Sequence, residues 1–220
     1  MKKAAVTINK GGVGKTMFCR SLGTAAAQAG LFVVILDMDS QENATSWRSR
    51  RPQKELPLPL VEFTTERNLE EAIKRAEAAG ADLVLIDTPP GRTTEAPAAV
   101  EVSDLVLIPC TSEPECTEGL PRTARLVRTT GKRAFVVPNF VHPSGKNEDE
   151  LIRGLAKLHG LACAPVTLHQ FNVHVDGSYA GKTAAELEPN GRAAKEINAL
   201  WDWFYAELHN GMNASMHEVA

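Results

Sequence analysis

Four runs of mostly apolar, β-branched-rich residues constrain this chain more than any other feature: AAVTI (4–8), LFVVILD (31–37), ADLVLID (81–87) and DLVLIP (104–109), with RAFVVPNF (133–140) as a fifth candidate. They are continuous rather than alternating, the pattern of strands buried on both faces of a parallel sheet. Helical patterns lie between them. Phe18, Leu22, Ala25, Ala26 and Ala29 recur at helical spacing and Gly30 is placed to end that helix; further helices are expected over 68–79, 114–130, 147–159 and 190–209. Strand and helix in alternation imply βαβ units, so the predicted fold is α/β, a doubly wound, mostly parallel β-sheet flanked by helices. Ligands of such sheets lie beyond the carboxyl edge of the strands. The first residues past the apolar runs are the loop 9–16, Asp37, Asp87, Thr111 and Asn139.

Composition narrows the partners. A formal net charge of −3 over 220 residues gives no global attraction to nucleic acid, so a DNA contact would need a local basic patch. Cys19, Cys110, Cys116 and Cys163 form no C-x-x-C pair, and MKKAAVTI runs into a strand without a long apolar leader, which points to a reducing, cytoplasmic home. No stretch approaches the roughly 20 apolar residues of a membrane span, and no stable membrane association is expected. The three prolines of RPQKELPLPL (51–60) mark a surface connection. The expected organisation is one domain over residues 1–209 and a flexible tail over 210–220.

The chemistry concentrates in NKGGVGKT (9–16), which nearly matches the phosphate-binding pattern G-x-x-x-x-G-K-[ST] but carries Asn9 in place of the first glycine and an added lysine, Lys10. A strand leading through glycine-rich turns into a helix aims backbone N–H groups and a helix dipole at an anion. Gly11, Gly12, Val13 and Gly14 form the curl, Lys15 reaches the β- and γ-phosphates, and the Thr16 hydroxyl is suited to Mg²⁺. Magnesium also wants carboxylates at that edge; Asp87 in LVLIDTPPG is the expected metal-side acid, and Asp37 and Asp39 in LDMDSQ can orient water or the metal shell.

KGGVGKT (10–16), DMDSQENATSW (37–47) and LIDTPPG (85–91) together resemble the ParA/MinD group of deviant Walker ATPases, in particular its short ParA-type partition proteins. The resemblance runs from the first strand to about residue 205 and is carried mainly by these three motifs. It implies a partner-stimulated, weak ATPase with ATP and Mg²⁺ as cofactors and a nucleotide-sandwich homodimer, in which Lys10 crosses to the ATP of the second subunit. It further implies that Asp39 positions the attacking water, that Asp37 and Asp87 with Thr16 serve the Mg²⁺ site, and that Asn139 recognises adenine. Met17 stands where the family commonly has a phosphate-contacting threonine, a loss on the order of 1 kcal/mol. Phe171 replaces an arginine that such partition proteins often carry.

For that group the resemblance implies ATP-dependent binding to nonspecific DNA, nucleoid association, a ParB-like or other adaptor, and a plasmid or chromosome segment as cargo. The basic candidate is Arg122, Arg125, Arg128, Lys132 and Arg133 in LPRTARLVRTTGKR, with Arg48, Arg50, Arg51 and Lys54 as a second cluster. Alternatives are a protein cargo such as a chemotaxis cluster, a MinD-like membrane ATPase and a metabolic P-loop synthetase. Ile197, Leu200, Trp201, Phe204 and Leu208 form a helical stripe expected to pack in the core, with Trp203 off it and assigned to a partner contact.

Overall fold

The computed structural model describes residues 1–210 apart from 53, 57, 92 and 93. The elements run β1 (Lys2–Val6), α1 (Lys15–Gln28), β2 (Val33–Asp37), α2 (Asn43–Arg50), β3 (Leu60–Phe63), α3 (Leu69–Ala78), β4 (Leu83–Asp87), α4 (Glu95–Val102), β5 (Leu105–Cys110), α5 (Pro114–Thr130), β6 (Ala134–Pro138), α6 (Lys146–Leu158), β7 (Ala162–Cys163), α7 (Val173–Tyr179), α8 (Ala184–Leu187) and α9 (Arg192–Asn210). The strands form one sheet in the order β3-β2-β4-β1-β5-β6-β7. Every pairing is parallel, as the continuous apolar runs require.

All five residues of β2 and of β4 and all six of β5 are buried, which fits strands covered by helices on both faces. One face packs α1 and α9 through Phe18, Leu22, Leu85, Ile197, Leu200 and Phe204; across the sheet, Val34, Leu36, Val84 and Ile86 meet Leu69 and Ala72 of α3. The α9 stripe is core, as expected. Trp203 is not a free surface group: its ring meets Phe135 edge-on at a centroid distance of 5.0 Å. β-branched and aromatic content could not show this, because Phe135 comes from a distant strand.

The register fixes the chemistry. Asp37 pairs with Asp87, and Val6 of β1 pairs with Asp87, so the loop after β1 and both acids emerge side by side at the carboxyl edge. The 51–60 segment lies at the surface, with Lys54, Glu55 and Leu60 exposed, but it is anchored: Arg51 and Pro59 are buried and Leu60 opens β3. Residues 211–220 of the expected tail lie outside the described residues.

Candidate functional site

The loop 9–14 curls because its glycines allow it. Gly14 sits at φ 88°, and a Cβ there would lie 2.6 Å from Asn139 Nδ2 and 3.0 Å from the Phe140 ring, so a side chain is excluded by both backbone and space. Behind the loop, Asn139 Nδ2 donates to the Val13 carbonyl at 2.8 Å. In front of it, the Lys15 ammonium folds back onto the Lys10 carbonyl at 2.7 Å. The curl therefore opens toward α1 with its cation already inside. Burial pulls the Lys15 pKa down, opposed by the carboxylates of Asp87 and Asp39.

An open groove of about 480 Å³ runs along this edge, lined by Gly11, Gly12, Gly14, Lys15, Thr16, Met17, Arg20, Asp39, Gln41, Asn43, Pro90 and Phe140. That volume lies within the range of small-molecule sites. Lys10 is absent from the lining, and its ammonium makes no ion pair among the described residues.

The acids divide their work. Asp87 is fully buried and neither carboxylate oxygen has a hydrogen-bond partner of normal geometry among the described residues, although the Thr16 hydroxyl lies close enough to favour its ionised form. Burial lifts its pKa to about 7, with repulsion from Asp37 adding to it and Thr16, Lys15 and Arg20 opposing. A buried carboxylate with two empty acceptor oxygens beside a threonine hydroxyl fits a hydrated Mg²⁺, a hard cation that wants oxygen ligands and waters. Asp39 also lines the groove; its Oδ1 accepts the Gln41 N–H at 3.0 Å, and its Oδ2 has no protein donor among the described residues.

Asp37 is otherwise engaged. Its Oδ2 accepts the N–H groups of Ala44 and Thr45, each at 3.0 Å, and the Thr45 hydroxyl at 3.2 Å, while its Oδ1 takes the Asp39 N–H at 3.2 Å. It holds the otherwise orphaned N–H groups of α2 and does not line the groove. Asn139 likewise stands behind the loop, fully buried, and does not line the groove; its Oδ1 has no partner. Met17 faces the groove, its sulfur taking the Ser21 hydroxyl at 3.6 Å. The expectations missed Arg20, whose guanidinium lines the groove, donates to the Ser178 hydroxyl at 2.8 Å and lies over Trp47. One charged residue inside an apolar helical pattern, FCRSL, was the available signal.

The basic clusters shrink. Arg122, Arg125 and Arg128 share an exposed face of α5, but Arg128 donates to the His159 carbonyl, Lys132 to the Ser103 carbonyl, and Arg133 is paired with Glu207 of α9. In the second cluster Arg51 is buried against Glu186 at 2.6 Å.

A family model described as the CobQ/CobB/MinD/ParA nucleotide binding domain matches residues 4–170. A maintenance of carboxysome distribution protein A from Gloeobacter kilaueensis is 30% identical over 208 residues, covering 90% of this chain and 94% of that protein. Among solved structures, the MinC:MinD cell division complex of Aquifex aeolicus superposes with a TM-score of 0.77 at 19% identity, over 94% of this chain and 96% of that one. A Cyanothece McdA variant in complex with ATP gives 0.71 at 18% identity, with 96% of each chain covered. The structural likenesses speak for the fold. No helix among the described residues is long and apolar enough to cross a membrane.

Proposed function

This chain belongs to the CobQ/CobB/MinD/ParA nucleotide-binding family, and on that premise we propose that it is a slow Mg-ATPase whose ATP state is a sandwich homodimer and whose cycle positions a cargo. The observation that carries the reading is the pairing, at one sheet edge, of a backbone curl closed by the Lys15 ammonium with the buried, unpartnered carboxylate of Asp87. Mg²⁺, when bound, neutralises the phosphate oxygens and is held through Thr16 and Asp87. Lys15 and the N–H groups of residues 11–16 bind and orient the triphosphate, and Asp39, with one oxygen free, holds the proton side of the attacking water. Asn139 fixes the wall against which the loop is shaped, and it meets adenine only if its amide turns from the Val13 carbonyl. Adaptor-stimulated turnover and nucleoid association in a cytoplasmic setting belong to the same reading.

Lys10 does not line its own groove, which supports a role across a dimer interface, where a second ammonium beside two facing triphosphates acts in a dry, low-dielectric gap. Lys10→Ala should therefore bind Mg-ATP as a monomer within about threefold of wild type while its dimer weakens at least about tenfold, a loss of about 1.4 kcal/mol. Light scattering in a nonhydrolysable analogue checks this. A variant that dimerises like wild type removes the trans role.

The full-length likeness to a carboxysome distribution protein supports a protein assembly as cargo alongside a plasmid or chromosome segment. Both readings use nonspecific DNA as the track, and the exposed Arg122 and Arg125 are the best-placed phosphate contacts. Arg122→Glu with Arg125→Glu should reduce ATP-dependent retention on random duplex at least about tenfold and flatten its salt dependence. Unchanged retention places the track elsewhere on the surface.

A further inference from the structure

We propose that Cys110 and Cys116 form a reversible redox modification site, a disulfide closing the β5–α5 turn directly behind the phosphate loop. The two sulfurs face each other at 2.9 Å, the shortest step from a bond that any pair of thiols in the described residues makes. Their spacing of six residues spans the end of a strand and the first turn of a helix, so the turn between them can adjust without moving the sheet. Cysteine pairs in reducing compartments are commonly transient and redox-sensing rather than structural.

The surroundings make one sulfur the nucleophile. Cys116 lies in the first turn of the 17-residue α5, where N–H groups and the helix dipole favour a thiolate, and its Sγ accepts the Thr111 N–H at 3.3 Å. Hydrogen bonding from Cys110, aided by Thr111, draws the Cys116 pKa down against burial, while the same contact and burial push Cys110 up. Both sulfurs are fully buried, and the residues that lead into the turn, Glu113, Pro114 and Glu115, are exposed. Pro121 also has no N–H to give the Thr117 carbonyl, so the first turn of α5 is held by one bond fewer than an uninterrupted helix. Opening that turn exposes Cys116 without unfolding the core.

The exchange balances with a small disulfide as oxidant. The Cys116 thiolate attacks one sulfur of glutathione disulfide, forming a mixed disulfide and releasing one glutathione thiolate. Cys110, losing its proton to solvent, then attacks Cys116 Sγ and expels the second glutathione thiolate. Two protein thiols lose two electrons and two protons, and one glutathione disulfide becomes two glutathione thiols.

The position gives the bond a consequence, which rests on the nucleotide reading above. Val13 packs in the same cluster as Cys110 and Cys116, and Gly119 of α5 is so close to the loop that a Cβ would lie 3.2 Å from the Asn9 carbonyl oxygen. Asn139, whose side chain anchors Val13, donates its backbone N–H to the Cys110 carbonyl at 2.8 Å. Drawing the first turn of α5 onto β5 therefore shifts the wall behind residues 9–13.

The test equilibrates the whole chain in glutathione buffers of rising disulfide fraction, from the reduced folded protein and from protein diluted out of guanidinium. Quenching with iodoacetamide in guanidinium precedes trypsin digestion. Peptide 93–122 carries both cysteines and no internal cleavage site. The expected product is this peptide two hydrogens lighter and unalkylated, reverting with dithiothreitol, while Cys19 and Cys163 stay alkylated. Cys116→Ser should yield no such product. Two alkylated cysteines at every ratio, stable glutathione adducts, or chain-to-chain links overturn the site. The oxidised form should also bind a fluorescent ATP analogue at least about fivefold more weakly. Equal affinity in both forms removes the coupling, whereas no binding in either form overturns the nucleotide reading and leaves the disulfide standing on its mass alone.

Discussion

Lys15→Ala should lower the affinity for Mg-ATP by about 10²- to 10⁴-fold while leaving the chain folded. In the free protein the Lys15 ammonium closes the loop by donating to the Lys10 carbonyl at 2.7 Å, so it is already desolvated and aimed where the phosphates belong. Two charge-assisted hydrogen bonds to phosphate oxygens at about 1.5–3 kcal/mol each give the predicted range. Folding survives because the neighbour that loses its cation has another way to shed charge. Asp87, with a pKa already near 7, takes up a proton when Lys15 is gone, and a neutral buried carboxyl costs far less than an unpaired carboxylate. Titration calorimetry with a nonhydrolysable analogue, beside a thermal melt, checks both halves. An affinity within tenfold of wild type would mean that the curl binds through backbone N–H groups alone.

The loop was legible because its determinants are local: three glycines, a lysine and a hydroxyl dictate one backbone shape whatever surrounds them. The five longer helices, α1, α3, α5, α6 and α9, and the buried strands were legible for the related reason that each announces its own periodicity. β3 and β7 were not read, since one is a four-residue edge strand with Leu60 and Phe63 left exposed and the other has two residues. α2 could not be read from propensity either. Its sequence NATSWRSR is a poor helix former, and it is nucleated by Asp37, six residues upstream of its start, whose carboxylate gathers the first N–H groups. The same bonds separate two acids that read alike in DMD: only the fold shows that Asp37 gathers the first N–H groups of a helix while Asp39 faces the groove. Arg133 teaches the converse. Its run carries no acid in sequence, yet Glu207 arrives from α9 to neutralise it.

Arg51→Ala should cost about 3–5 kcal/mol of stability, the value for breaking a buried ion pair from one side, and so remove a large share of the 5–15 kcal/mol that holds a typical domain. The arginine is a junction rather than a surface charge. Its guanidinium donates to both oxygens of Glu186, at 2.6 and 2.9 Å, to the carbonyls of Leu56, Leu58 and Gly181, and lies 4.8 Å from the centre of the Trp47 ring. Glu186 in turn completes the capping box of α8 with Thr183. Alanine strips Glu186 of its cation, leaving it the Thr183 N–H and hydroxyl alone, and leaves the Leu58 and Gly181 carbonyls without donors among the described residues, while the Leu56 carbonyl keeps Arg48. The neighbourhood cannot relax around the loss, because Gly181, at φ 65°, presses so close that a Cβ would meet the Arg50 carbonyl carbon at 2.4 Å. Arg51→Met with Glu186→Leu separates the causes. It removes both charges together, so it should recover the part due to the stranded carboxylate and retain the part due to the Leu58 and Gly181 carbonyls, on the order of 1–3 kcal/mol for each that stays dry. Urea denaturation of wild type and the two variants, with unchanged m-values, measures this directly. If Arg51→Ala were as stable as wild type, the segment joining α2 to β3 would have to be solvated in solution, and the clamp that fixes α2 beside the phosphate groove would not exist.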